Sequence, residues 1–376
     1  MVIFIKKKIG KIGSHNVDNN TFLINPNFLC RNLTGIERFA FETCKRLDLL
    51  LQADDDIRII IPSNAKTIPQ YKNIKTIKIN KPLKSFPLWD LFQFASYCRK
   101  YKATGINFSN TAPLGPSCGL SFIHDIYAKQ YPQDFISHKE KLVRLYSCFN
   151  YKNIAHNAKK VLTVSDFSRE QIKKLYKVSA ARIEVIPNGW DHFKDVEYEA
   201  ITDSEAFLTP GNFYFTLGSL QKRKNLGWIA KYAATHPEQN FAISGKAVSG
   251  FVSGDIAALQ SLPNVKLLGY VTDSQVKWLM KNCKAFIFPS YYEGFGIPPL
   301  EALSVGAKII VGNAASLPEI YKDSAVYIDP YNTDCNLEEL ISNYPSNCNQ
   351  SAALVLNEYT YDKAAQKLYN ILKQQN

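Results

Sequence analysis

Pro289-Ser290-Tyr291-Tyr292-Glu293-Gly294-Phe295-Gly296-Ile297-Pro298-Pro299-Leu300-Glu301 decides the reading of this chain. The run 285–289 has the apolar, β-forming character of a buried strand, and the two prolines open a helix that carries Glu301 in its first turn. The glycines between them let backbone approach a ligand closely. Unpaired N–H groups at the start of the helix favour anions. Glu293 and Glu301, eight positions apart, therefore flank a cradle suited to a ligand with phosphates in its middle and hydroxyls at both ends. A nucleotide-sugar answers that description.

Outward from this stretch, short apolar runs alternate with longer amphipathic ones, the pattern of an α/β protein with parallel sheets. Strands are expected at 21–25, 57–61, 105–108, 120–123, 160–164 and 183–186, with helices at 35–50, 89–100, 137–157 and 168–175. An acidic, irregular segment, 190–212, reads as a linker. The alternation then restarts, with strands at 213–217, 241–244, 265–268, 285–289, 308–311 and 326–328 and a final helix at 362–372. Two Rossmann-like units follow: a first domain over 1–195, of which 1–20 is an extension, and a second over 206–357, with 358–376 as a closing segment. Ligands of such sheets bind beyond the carboxyl ends of the strands, which places the chemistry in a cleft between the units.

Length and composition fit this. The chain has 376 residues, 46% of them hydrophobic and 12% aromatic, enough for two globular cores. No apolar run is long enough to span a membrane, and the apolar start at Val2 meets Lys6-Lys7-Lys8 at once, so a signal peptide is not expected. The eight cysteines are scattered, which suits reduced thiols rather than a zinc site or a disulfide frame. Charge is uneven. Residues 1–200 hold 31 Lys and Arg against 18 Asp and Glu, while the remainder holds 14 against 15. The first half is therefore expected to face an acidic partner, for which anionic lipid is the preferred candidate. Nucleic acid is not expected, because no nucleic-acid-binding signature is present.

Other positions complete the candidate site. Gly218-Ser219-Leu220-Gln221-Lys222-Arg223-Lys224-Asn225 joins a strand to a helix, and Arg223 and Lys224 could hold a diphosphate. His124-Asp125 follows a strand on the expected cleft face. Gly35, in Leu33-Thr34-Gly35-Ile36-Glu37, could offer amides to phosphate, although helix capping explains Thr34 and Glu37 equally well. Asp54-Asp55-Asp56 reads as a polar turn rather than a metal site. Ser165 lacks the context of a hydrolase nucleophile and reads as a helix cap.

These residues resemble glycosyltransferase family 4. Glu293 and Glu301 match its Glu-x₇-Glu motif, 218–225 its Gly-x-Leu-x-x-Arg-Lys-Asn loop, and 164–168 and 185–191 two further landmarks; the resemblance runs from about Phe22 to Lys363. It implies a GT-B fold, two lobes facing across a cleft, with the C-terminal helix crossing back to the first. It further implies a retaining, metal-independent transfer of a hexose from a nucleotide-diphosphate sugar. Glu301 would bind the ribose hydroxyls and Glu293 would sit at the sugar. The amides of Gly294, Phe295, Gly296 and Ile297 would hold sugar hydroxyls and phosphate. Arg223 and Lys224 would neutralise the leaving diphosphate, beside Gly218 and Ser219, and Gly35 would approach it from the first lobe. Tyr270 would lie by the base and His124 would touch the sugar. Ser219 stands where many members have a second phosphate-binding Arg, Tyr361 replaces a usual Trp, and Asn27 stands where close relatives often carry Arg.

The basic first half fits a glycan or lipid-linked oligosaccharide acceptor in surface-polysaccharide assembly, with the enzyme cytoplasmic and peripheral at the inner face of the cell membrane. Likeness to mannosyl-type members of that family implies GDP-mannose as the donor, with UDP-sugars next. A sugar-nucleotide 2-epimerase of the same architecture is an alternative, as is a non-catalytic basic protein that binds membrane or nucleic acid. The latter leaves Glu293, Glu301, Arg223 and Lys224 unexplained.

Overall fold

The computed structural model describes residues 21–201, 207–217, 221–245 and 253–375. Two sheets, every strand pair parallel, form the two lobes. The first holds β1 (Thr21–Ile24), β2 (Asp56–Ile61), β3 (Lys75–Lys78), β4 (Thr104–Asn107), β5 (Leu120–Phe122), β6 (Lys160–Thr163) and β7 (Ile183–Val185), in the order β3-β2-β1-β4-β5-β6-β7. The second holds β8 (Phe213–Leu217), β9 (Asn240–Ser244), β10 (Val265–Gly269), β11 (Ala285–Phe288), β12 (Ile309–Gly312) and β13 (Val326–Ile328), in the order β10-β9-β8-β11-β12-β13. Strands such as Ala-Phe-Ile-Phe at β11 are buried along their whole length, as a parallel sheet covered on both faces requires.

The chain order reverses at β1/β4 in one sheet and at β8/β11 in the other, the switch points beside which ligands of such sheets bind. The expected strands all form, within a residue or so of their expected ends. The exception is an addition: β3, Lys-Thr-Ile-Lys, is a mostly exposed edge strand with no apolar run to betray it. The helix expected from 89 starts earlier, at Phe86, and passes through a π-helical turn, Trp89–Gln93, before Phe94–Lys100.

The linker is tied down at its start. Buried Lys277 donates to the carbonyls of Phe193, Lys194 and Val196 at 2.6–3.1 Å. The final helix, Tyr361–Lys373, packs on the first lobe's helix Gly35–Leu50. Arg46 bridges Glu42, Asp191 (2.9 Å) and Asp362 (3.0 Å), and Lys373 meets Asp55 at 2.7 Å. The C-terminal helix thus crosses back to the first lobe. One buried apolar cluster runs from Phe39 and Phe122 through Tyr361 and Leu368 to Phe286 and Val311, so the two lobes share a core.

Candidate active site

The loop leaving β11 is the centre of the junction. Gly294 packs on the first lobe so tightly that a Cβ there would lie 2.2 Å from the His124 carbonyl oxygen. Gly296 adopts φ +89°, a conformation that favours glycine. The carbonyls from Glu293 to Gly296 are each occupied by a side chain. Ser316 Oγ donates to those of Glu293 (3.0 Å) and Phe295 (3.3 Å), Ser165 Oγ to Gly294 (2.6 Å), and Tyr321 Oη to Gly296. The amides of Gly294, Phe295, Gly296 and Ile297, by contrast, donate to no acceptor among the described residues. Side chains therefore fix the loop by its carbonyls rather than by its N–H groups. The helix Pro298–Ser304 follows, with Pro298 first and Glu301 in the first turn, as the spacing predicts.

Charge converges on the same place. Glu293 is almost fully buried and is held by Lys224 Nζ at 2.7 Å and Arg223 at 3.4 Å, while Arg223 also reaches Asp125 of the first lobe at 3.4 Å. Burial by itself would raise the Glu293 pKa; Lys224 and Arg223 outweigh it and hold the carboxyl below its ordinary value. Burial works against the charge of Arg223 too, yet Glu293 and Asp125 keep it protonated. The Lys224 ammonium is drawn below its usual value by burial, with Glu293 pulling the other way and Arg223 adding to the decrease. Lys224 also lies 4.7 Å from the Phe288 ring centroid.

His124 is buried, its ring stacked on Phe122 and edge-on to Phe39, and Nε2 is 2.6 Å from the Phe108 carbonyl. Burial lowers its pKa and keeps the imidazole neutral near pH 7. Glu301 meets His192 Nε2 at 3.2 Å. Gly35 opens the helix Gly35–Leu50, exposed, with nothing within 4 Å of a Cβ placed on it. Thr34 donates to Glu37, which Arg31 also meets at 3.3 Å. Tyr270, 71% exposed, follows the end of β10. Phe295 turns its ring edge-on to Tyr359, so its side chain packs while its amide stays free. Gly218 and Ser219 lie outside the described residues. The structure thus gathers Glu293, Gly294, Arg223, Lys224 and His124 at one junction, with Glu301 one helical turn beyond it. Gly35 and Tyr270 stand at helix and strand ends.

Some participants carry no sequence signal. Asp125 was visible only as the neighbour of His124, and His192 lies in the linker. Arg38 joins Asp273 across the lobes at 2.8 Å. Ser165 caps the helix Asp166–Tyr176, as expected, and also reaches across to Gly294. Glu319 of the second lobe accepts from the Asp166 and Phe167 amides at 2.8 and 2.7 Å, closing the same helix end. The Asp54-Asp55-Asp56 turn is consumed by ion pairs with Lys373, Arg58 and Lys75.

Two parallel-sheet α/β lobes, joined at the loop after β11 with the Arg223–Lys224 pair beside it, have the GT-B architecture. The family described as "Glycosyl transferases group 1" matches residues 197–360, and "Glycosyltransferase Family 4" matches 33–192. Among curated relatives, the chain is 26% identical over 336 residues to the O-antigen chain mannosyltransferase B of Escherichia coli, covering 80% of this chain and 84% of that one. It is 27% identical over 211 residues to the O-antigen chain mannosyltransferase RfbU of Salmonella typhimurium, covering 55% and 56%. Among solved structures, sucrose-phosphate synthase from Thermosynechococcus elongatus superposes with a TM-score of 0.68 at 17% identity, over 94% of this chain and 98% of that one. This chain belongs to glycosyltransferase family 4.

Proposed function

We propose that the protein moves a hexose, with retention, from a nucleotide-diphosphate sugar to a lipid-linked or free oligosaccharide in surface-polysaccharide assembly. Mannose from GDP-mannose is the first choice of donor, because both relatives above are mannosyltransferases; UDP-sugars come next. The observation that carries the reading is the row of unpartnered amides from Gly294 to Ile297 beside the Lys224–Glu293–Arg223 cluster.

Breaking the sugar–phosphate bond develops positive charge at the anomeric carbon and negative charge on the departing diphosphate. Lys224 and Arg223 supply fixed positive charge for the second, so the reading needs no metal ion. Glu293 lies where the first can be offset, and donor binding would draw the two cations partly from it to the diphosphate. The acceptor hydroxyl attacks from the face the diphosphate leaves, and the departing phosphate oxygen takes its proton. Glu301 would trade His192 for the ribose hydroxyls, and Tyr270 would cover the base.

An acceptor carried on lipid requires the enzyme to meet a membrane. No described helix is long and apolar enough to cross one. The helix His138–Asn157 instead shows Leu142, Leu145 and Phe149 on one exposed stripe, with Lys139, Lys141 and Lys152 around them. That combination suits lying on an anionic surface. The deciding experiment incubates the protein with GDP-mannose or UDP-hexoses and a lipid-linked oligosaccharide, read by mass spectrometry. One added hexose from GDP-mannose is expected. Turnover of the sugar-nucleotide without an acceptor product would favour the 2-epimerase. No thermal shift with any nucleoside diphosphate would remove the donor reading altogether.

A further inference from the structure

A second cleft opens between the lobes, next to the donor site but outside it. Its volume is about 580 Å³, within the roughly 300–1,000 Å³ of small-ligand sites. One wall is a continuous tyrosine surface. The ring centroids of Tyr131 and Tyr291 are 5.1 Å apart, those of Tyr291 and Tyr331 6.1 Å, and the Tyr131 and Tyr331 hydroxyls 3.3 Å. Tyr331 leaves 71% of its surface open. The wall is held in place beforehand: Asp134 accepts hydrogen bonds from the hydroxyls of Tyr291 and of Tyr127, both at 2.6 Å. Gln133, Asn332 and Thr333 add amide and hydroxyl groups to the lining, and Lys222 and Lys231 add ammonium groups.

We propose that this cleft binds the acceptor's glycan chain, specifically the sugar units behind the one that receives the new hexose. The inference rests on the glycosyltransferase reading above. A pyranose offers an apolar C–H face together with a rim of hydroxyls. An aromatic plane bordered by amides, hydroxyls and ammonium groups complements both, and tyrosines do so at little cost in side-chain freedom. The two sites share one loop: Tyr291 is two residues from Glu293, and its N–H donates to the Arg223 carbonyl at 3.1 Å. Lys222 likewise precedes the diphosphate-holding pair. On this proposal a saccharide whose reacting end sits at Glu293 continues past Tyr291 into the cleft. Tyr131 and Gln133 belong to the first lobe, Lys231, Asn332 and Tyr331 to the second. A chain lodged there touches both and favours their closure.

The test uses a mannose tetrasaccharide as probe and the exposed substitution Tyr331→Ala, which removes no packed core group. Isothermal titration without donor is expected to show binding to the wild type and about tenfold weaker binding to the variant, the scale of one lost ring contact. In turnover, the variant's KM for the tetrasaccharide should rise by about the same factor, with kcat within about twofold. Its KM for methyl mannoside should not move, since that acceptor is too short to reach the cleft. Equal tetrasaccharide affinity in the two proteins, or no affinity in the wild type, overturns the proposal. Tetrasaccharide binding sensitive to Tyr331 but with no transfer from any donor would instead count against the donor reading alone.

Discussion

At the residue scale, the Lys224–Glu293 contact ties two buried charges whose separation is costly. Lys224→Ala and Glu293→Gln are each expected to lower transfer by about 10²-fold, the scale of one lost transition-state electrostatic contact. Because the two touch, the double variant should fall well short of the product of the single effects. Steady-state kinetics on folded proteins, with folding checked by circular dichroism, measures both. Near-normal turnover in both single variants would remove these residues from the mechanism. His124 gives a pH signature. Burial depresses its folded pKa below the ordinary 6.5, so the unfolded chain takes up the proton first. Its contribution to stability is complete above pH 6.5 and is lost as pH falls below that value. Melting temperature should drop between pH 7 and pH 5, and His124→Asn should flatten that slope. Much of this site was legible, because Glu293, Glu301, Arg223 and Lys224 sit in a fixed local spacing around turns. Asp125 and His192 were not, since each acquires its partner only when distant segments meet.

At the element scale, two glycines sit where backbone from distant segments meets. A Cβ on Gly294 would strike the His124 carbonyl, and one on Gly189 would lie 2.2 Å from the Tyr361 backbone nitrogen. The first contact lies at the seam between the lobes, beside Glu293; the second lies where the final helix turns onto the first lobe. Gly294→Ala should therefore cut kcat/KM by at least about tenfold, a barrier of about 1.4 kcal/mol, by displacing the loop that carries Glu293. Gly189→Ala should destabilise by about 1–3 kcal/mol, the usual cost of overpacking, and a lowered melting temperature measures it. A reversal of that pattern would contradict the assignment of the two contacts. Strand order follows from short apolar runs, which the sequence displays openly. The edge strand β3 escaped notice because its neighbours on one side only leave its side chains in water. The π-helical turn at Trp89 arises where Trp89 bonds Asn25 and buried Asp90 meets Asn25, Asn27 and Thr111, contacts that no periodicity announces.

At the scale of the whole molecule, excess positive charge lies in the lobe that carries the apolar stripe of His138–Asn157. Binding to vesicles rich in anionic lipid is expected, weakening as salt rises past a Debye length of about 8 Å. Leu145→Asp with Phe149→Asp should weaken it by about tenfold or more, given roughly 0.8 kcal/mol for each buried CH₂. Co-sedimentation measures this, and equal partitioning onto neutral vesicles would sink the membrane assignment. The charge imbalance was readable from composition; the stripe was not, because Leu142, Leu145 and Phe149 look like core positions until their exposure is known.

The return of Tyr361–Lys373 onto Gly35–Leu50 also sets an order of events during synthesis. The apolar groove that this helix fills stays uncovered on the ribosome until the whole second lobe has emerged. The nascent first half must wait in an unfinished state, open to chaperones and to aggregation. A chain cut after Thr360 would be left permanently in that condition, and its recovery in inclusion bodies rather than as a folded two-lobed fragment is the expected result.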